Sequence, residues 1–300
     1  MEDLHITILG TGLIGGSIAL ALKEGGWSGK IVGIDRHLPG SVDSQSPATA
    51  LQSPSRTGPP GAVNAFDAFC WADERTKCEE WLARTHLAIL AMPVGGIIAN
   101  LPEVLDATSG FVTDCGSTKY AIQQAIKDHP KRERFVPGHP MAGRPIGGIE
   151  NSLGSLFRNR KWVLCPELSS HEALSEVKKA LSLTGCEVIE MSAIEHDKNV
   201  ALTSHLPQIL ASALSANTGE SARKTAGPGF DSAVRVAGGG AAMWRDIFKT
   251  NAGPIARELK ALALQLEGIA QELEEIHQTE NKEAPELLLK LLALARSKRQ

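Results

Sequence analysis

"HITILGTGLIGGSIALALKEGG", residues 5–26, is the stretch from which the fold is read. Ile6, Ile8 and Leu9 form a short apolar run that suits a strand buried on both faces. A glycine turn follows, Gly10-x-Gly12-x-x-Gly15, and then a helix. In such a turn Gly10 allows the tight bend, Gly12 lets the backbone approach a pyrophosphate, and Gly15 lets helix and strand pack closely. The amides at the start of the helix, where Leu13 and Ile14 stand, then face the phosphates. Alone, the motif is weak. Here "KIVGIDR" adds a second strand ending in Asp35, twenty-five positions after Gly10. An acid there accepts hydrogen bonds from the adenosine ribose, which favours NAD over NADP, although the neighbouring Arg36 leaves NADP open. The expectation is an α/β Rossmann-type nucleotide-binding domain.

The chain has 300 residues, which fits two domains of ordinary size. It is 42% hydrophobic and 22% charged, a globular composition, and its net charge of −3 gives no general attraction to nucleic acid or anionic lipid. Five cysteines form no CxxC pair, and the odd number argues against a disulfide framework. The longest apolar stretch, "LAILAMPVGGIIANL", is broken by proline and glycine and is too short to span a bilayer. "MEDLHITILG" enters a strand too soon to hold a signal peptide. A cytoplasmic protein is expected, with neither nucleic acid nor membrane as partner.

Residues 37–65 are dense in Pro, Ser and Gly and read as a mobile surface insertion. "FDAFCWADERTKCEEWLART" reads as helical, and "HLAILAMPV" as another buried strand. Met92 and Pro93 stand at that strand's carboxyl end, where ligands bind in such sheets. "GFVTDCGSTKYAIQQAI" repeats the theme, with Ser117 either capping the next helix or turning its hydroxyl into the cleft. "RFVPGHPMAG" reads as one more strand and its terminal loop, which puts His139 on the same edge. An imidazole with an ordinary pKa near ~6.5 suits proton abstraction at neutral pH.

"MSAIEHDKNVALTSHLPQILASALS" reads as a long helix that Pro207 kinks close to His205. His196 and His205 are nine residues apart, on nearly opposite helical faces, so they share no metal. His205 at the kink is the better ligand contact, and His196 with Asp197 reads as a structural pair. Arg235 stands among Ala233, Val234, Val236 and Ala237, an apolar frame in which a guanidinium needs a partner. A substrate carboxylate or the internal Asp231 would serve. Arg245 and Asp246 read as a solvated charge pair. Ile255, Leu259, Leu262, Leu266, Ile269, Leu273 and Ile276 then form a heptad seam, read as a dimer interface.

Taken in order, "ILGTGLIGGSIALAL", "TDCGSTK", "GHPMAG", "EHDKNVALTSHLPQILASAL" and "RVAGGGAAMW" resemble the prephenate dehydrogenase family, including its arogenate-using and cyclohexadienyl members. The resemblance covers all but the insertion and the tail. It implies a nucleotide-binding domain over residues 1–190 and an all-α dimerisation domain over 191–300. It also implies catalysis by His139, with Ser117 on the substrate hydroxyl, His205 in contact with substrate and Arg235 on a substrate carboxylate. The substrate would be prephenate or arogenate, oxidised with NAD and losing carbon dioxide as its ring becomes aromatic. Control by tyrosine would act at the active site or the dimer interface. Two positions depart from the family: Pro145 and Ser232 stand where many relatives carry acids. The readings left open are a β-hydroxyacid type of two-domain NAD(P) dehydrogenase and a non-catalytic NAD-binding dimer.

Overall fold

A computed structural model describes residues 4–35, 62–279 and 284–298. The chain begins with β1 (His5–Leu9), α1 (Leu13–Glu24) and β2 (Lys30–Asp35). After the insertion come β3 (Ala68–Trp71), α2 (Arg75–Ala83), β4 (Leu87–Leu90), α3 (Val94–Ala107), β5 (Phe111–Asp114), α4 (Tyr120–Ala125) and β6 (Phe135–Val136). The six strands make one parallel sheet in the order β3-β2-β1-β4-β5-β6. Alternate residues of each strand serve opposite faces. Ile6 and Ile8 pack with Ile18 and Leu22 of α1, whereas Leu9 joins Leu82 of α2 and Ile97 and Leu101 of α3. Burial on both faces explains the almost unbroken apolar runs of these strands.

Several expectations need correction. "AFCW" is not helical but the edge strand β3, and the helix begins only at Arg75. The insertion is bounded differently: residues 62–65 form a 3₁₀ turn in which Ala62 and Ala65 are buried against α1, and its remainder lies outside the described residues. "RFVPGHP" is two strands rather than one. Pro137 lies between β6 and β7 (Gly138–Pro140), and β7 joins a second sheet with β8 (Lys161–Leu164) and β9 (Glu187–Glu190). β7 runs antiparallel to β8, with His139 opposite Val163, and β8 runs parallel to β9. Between those last two strands lies α5 (His171–Ser182).

The remainder is helical: α6 (Ala193–Val200), a π-turn (Ala201–His205), α7 (Leu206–Asn217), α8 (Glu220–Arg223), α9 (Pro228–Val234), a 3₁₀ turn (Arg235–Gly238), α10 (Ala241–Thr250), α11 (Ala252–Thr279) and α12 (Glu286–Ser297). Where the sequence predicts a kink, close to His205, the chain winds as a π-turn that ends two residues before Pro207 in the first turn of α7. No helix among the described residues is long and apolar enough to cross a membrane.

Candidate active site

Strand order reverses between β1 and β4, and their carboxyl ends open a crevice there. Gly10 follows β1 with φ +95°, and a Cβ at this position would lie 2.5 Å from the Ala91 carbonyl oxygen. A side chain would be both strained and obstructed. A Cβ on Gly15 would collide with the Gly10 carbonyl, while Gly12 faces open space. No side chain caps α1, and its first turn carries no acid. Its amides are thus left for a ligand's phosphates. A cavity of about 260 Å³ opens here, lined by Gly12, Leu13, Ile14, Met92, Pro93 and Ser117, with Met243 and Ile247 of α10 opposite. This arrangement fits a dinucleotide. Asp35 accepts hydrogen bonds from the Thr11 amide (2.6 Å) and hydroxyl (2.7 Å), tying the end of β2 to the glycine turn. Arg36 lies outside the described residues.

His139 does not sit in a loop but in β7, half-buried. Its Nδ1 is 2.8 Å from Nε2 of His196, whose Nδ1 is 2.8 Å from Oδ1 of Asp197. The His196–Asp197 pair was legible, but its attachment to His139 was not. Asp197 also accepts from the amides of Lys119 (2.8 Å) and Tyr120 (3.0 Å), which fastens α6 to the start of α4. Lys119, not Ser117, is the capping position of that helix.

A buried ion pair holds the other side of the strand. Lys119 bonds Asp114, and its Nζ donates to the Gly138 carbonyl at 2.5 Å. Asp114 Oδ1 accepts from the Gly138 amide at 3.0 Å, and Oδ2 from the Gly116 amide at 2.7 Å. Both polar groups of the residue before His139 are therefore gripped by one pair. Desolvation, then the charges of His196, Lys119 and His205, hold the His139 pKa well below its ordinary value. The imidazole stays neutral, the form a base requires.

His205 is buried, and its Nδ1 lies 3.1 Å from the Asn251 amide nitrogen, which also donates to the Asp197 carbonyl at 2.8 Å. Burial pushes His205 down to about 4, with Asp197 opposing the shift. The opposite-face expectation for His196 and His205 fails, because both belong to one buried cluster through Asp197 and Asn251. The π-turn between them winds less per residue than an α-helix.

Arg235 also departs from expectation. It is exposed at the start of a 3₁₀ turn, so the argument from a buried charge does not apply. Among the described residues it has no ion-pair partner, Asp231 included. Asp246 is not paired with Arg245 but accepts from the Gly95 amide at 3.1 Å. The structure thus gathers Gly12, Leu13, Ile14, Met92, Pro93 and Ser117 around one cavity, and His139 and His205 into one cluster, while Arg235 bonds to neither. Sequence reasoning missed Asp114, Lys119 and Asn251. The available signal was two opposite charges, Asp114 and Lys119, five residues apart at the carboxyl end of a strand. Among the described residues no cluster of three or more His, Cys, Asp or Glu could hold a metal.

Residues 64–190 match the profile of the prephenate dehydrogenase nucleotide-binding domain, and residues 192–293 that of the prephenate dehydrogenase dimerization domain. The chain belongs to the prephenate dehydrogenase family. It is 32% identical over 266 residues to the prephenate dehydrogenase of Bacillus subtilis, an alignment covering 84% of this chain and 66% of that protein. It covers 64% of the Lactococcus lactis prephenate dehydrogenase, so the chain spans about two thirds of these relatives' length. Among solved structures, prephenate dehydrogenase from Aquifex aeolicus, in complex with hydroxyphenyl propionate and NAD⁺, superposes with a TM-score of 0.75 at 25% identity, covering 100% of this chain and 99% of that one. Synechocystis arogenate dehydrogenase gives 0.74 at 26% identity, covering 99% and 100%. Family membership removes the β-hydroxyacid reading.

Proposed function

We propose that the protein is an NAD-dependent dehydrogenase that oxidatively decarboxylates prephenate, arogenate or both, forming 4-hydroxyphenylpyruvate or tyrosine. The observation that carries this reading is the hydrogen-bonded run from Asp197 through His196 to His139. The Asp197 carboxylate only accepts, so His196 carries its proton on Nδ1. Its Nε2 is then an acceptor, which requires His139 to carry its own proton on Nδ1. Nε2 of His139 keeps a lone pair, and it takes the proton of the substrate's ring hydroxyl. A positioned base of this kind contributes about 10²–10⁴-fold.

Gly10, Gly12, Leu13, Ile14, Gly15, Asp35, Met92 and Pro93 would hold NAD. When bound, the nicotinamide supplies the hydride acceptor. Ser117, on the wall of the same cavity, orients the substrate hydroxyl. His205 contacts the substrate, and Arg235 grips a carboxylate through its exposed guanidinium. Loss of carbon dioxide leaves an aromatic ring, so the reaction runs one way. Residues 1–190 carry the cofactor and residues 191–300 complete the substrate site and form a homodimer in the cytoplasm. Tyrosine, bearing the product's ring, competes at the same site.

The test is nicotinamide reduction by purified protein, with prephenate and arogenate each assayed against NAD and NADP. Turnover with either substrate, faster with NAD, is expected. His139→Asn should abolish turnover while NAD titrates as in the wild type. Surviving turnover in that variant overturns the base assignment. Absence of turnover in all four combinations, with NAD still bound, overturns the reaction.

A further inference from the structure

One face of α10 carries Met243, Asp246, Ile247 and Thr250, at positions i, i+3, i+4 and i+7. Met243 and Ile247 line the glycine-turn cavity together with Met92, Pro93 and Val94. The two polar members fasten that face at either side. Asp246 Oδ2 accepts from the Gly95 amide at 3.1 Å, and the Thr250 hydroxyl lies 2.9 Å from that of Thr118, next to Ser117. At its start α3 lacks an acceptor of its own. Pro93 is its cap, with no side-chain bond, and its first turn has no acid. Asp246 supplies the missing carboxylate from the helical part of the chain, where it also meets the positive end of the helix dipole. The contact leaves no spare room, because a Cβ on Gly95 would lie 2.8 Å from Asp246 Oδ2.

We infer that Asp246 is a positioning residue for the nicotinamide cofactor, a clasp that holds α10 against the Met92–Pro93 turn and so sets the width of the cavity. This rests on the dehydrogenase reading above. Asp246 touches neither substrate nor reacting atoms. Its loss should act on cofactor affinity and leave the chemical step alone.

The experiment titrates NAD into the purified protein, followed by tryptophan fluorescence, for wild type, Asp246→Ala, Asp246→Asn, Gly95→Ala and the Gly95→Ala/Asp246→Ala pair. Removing the cap should weaken NAD binding by about five- to thirty-fold, with kcat at saturating NAD within about two-fold. Asp246→Asn keeps an acceptor oxygen and should recover most of the affinity. Gly95→Ala, which keeps the carboxylate but displaces it, should resemble Asp246→Ala, and the two should not add. Hydrogen exchange without cofactor should be faster at residues 95–97 in Asp246→Ala. The inference is overturned if Asp246→Ala or Gly95→Ala binds NAD like wild type, if their effects add, or if kcat falls with affinity and Asp246→Asn restores neither. A wild type that binds no NAD overturns the dehydrogenase reading itself, whereas wild-type binding with unchanged variants overturns the clasp alone.

Discussion

Nδ1 of His139, on the short sheet of the nucleotide-binding part, and Nε2 of His196, on the first helix after it, lie 2.8 Å apart. The two rings meet nearly edge to face, 70° between planes, with centroids 5.1 Å apart. The imidazole is therefore held from two directions. The helical side holds its ring through His196 and Asp197, and the sheet side holds the backbone of the preceding Gly138 through Asp114 and Lys119.

Asp197→Asn tests the first of these. An amide has one oxygen where the carboxylate has two, so its NH2 must face either the Tyr120 amide or His196 and the Lys119 amide, and the negative charge that fixes the His196 tautomer, and with it the orientation of His139, is gone. The expected result is a fall in kcat of about 10²–10⁴-fold, with the NAD dissociation constant almost unchanged. Steady-state kinetics beside an NAD titration measure both. A kcat within about three-fold of wild type would show that His139 needs no such support.

The pH profile tests the electrostatics. Because the His139 pKa is lowered, the imidazole remains neutral as the medium is acidified through its ordinary range. The acidic limb of kcat/KM is therefore expected below pH ~6.5, the value of a free imidazole. Replacing Lys119 with Met removes one of the charges that oppose protonation, so the limb should move to higher pH. Lys119→Met alone also leaves Asp114 buried without its counter-charge, at a cost of about 3–5 kcal/mol in urea unfolding. Asp114→Asn/Lys119→Met should recover much of that stability while keeping the shifted limb. A limb that stays in place in the double variant would deny Lys119 its influence on the base.

Stability should depend on pH through His205. Its pKa is about 4 in the fold, against ~6.5 when unfolded, so between those values the unfolded chain binds more protons. The stabilisation is present in full above pH ~6.5 and is lost as pH falls toward 4. The free energy involved is on the order of 3 kcal/mol. Urea unfolding at pH 7.5 and at pH 5 should show a smaller difference for His205→Asn than for wild type. Equal differences would mean that other groups carry the acid lability.

How much of this was legible depended on how far the deciding contacts lay along the chain. β1, the glycine turn and α1 announce themselves, since strand burial and turn geometry are local demands met by Ile6, Ile8, Leu9 and Gly10. β3 did not, because it is a four-residue edge strand whose Ala68, Phe69 and Trp71 are only partly buried. The second sheet escaped because Pro137 hides a change of partner inside one apolar run. His196 was misjudged for a different reason. Ideal helical rotation turned it away from His205, and the π-turn that alters the rotation leaves no pattern in the residues. Arg235 misled through its apolar neighbours, which say nothing about burial in a four-residue turn.

The seam on α11 gives the last prediction. Ile255 and Ile269 are buried within the chain, but Leu266 and Leu273 remain 49% and 45% exposed. α12 packs beside them, its Leu287 amide bonded to Glu272, and adds Leu289, Leu292 and Leu294, each at least half exposed. An apolar surface of this extent on one chain is the mark of an interface. A charge at the centre of such a seam has no partner across it and opposes association. Leu266→Glu/Leu273→Glu should therefore convert the dimer to monomers, as read by sedimentation or light scattering. NAD binding should survive, since none of the residues lining the glycine-turn cavity belongs to α11. A dimer that persists unchanged would place the interface elsewhere on the helical part and leave these leucines without an account.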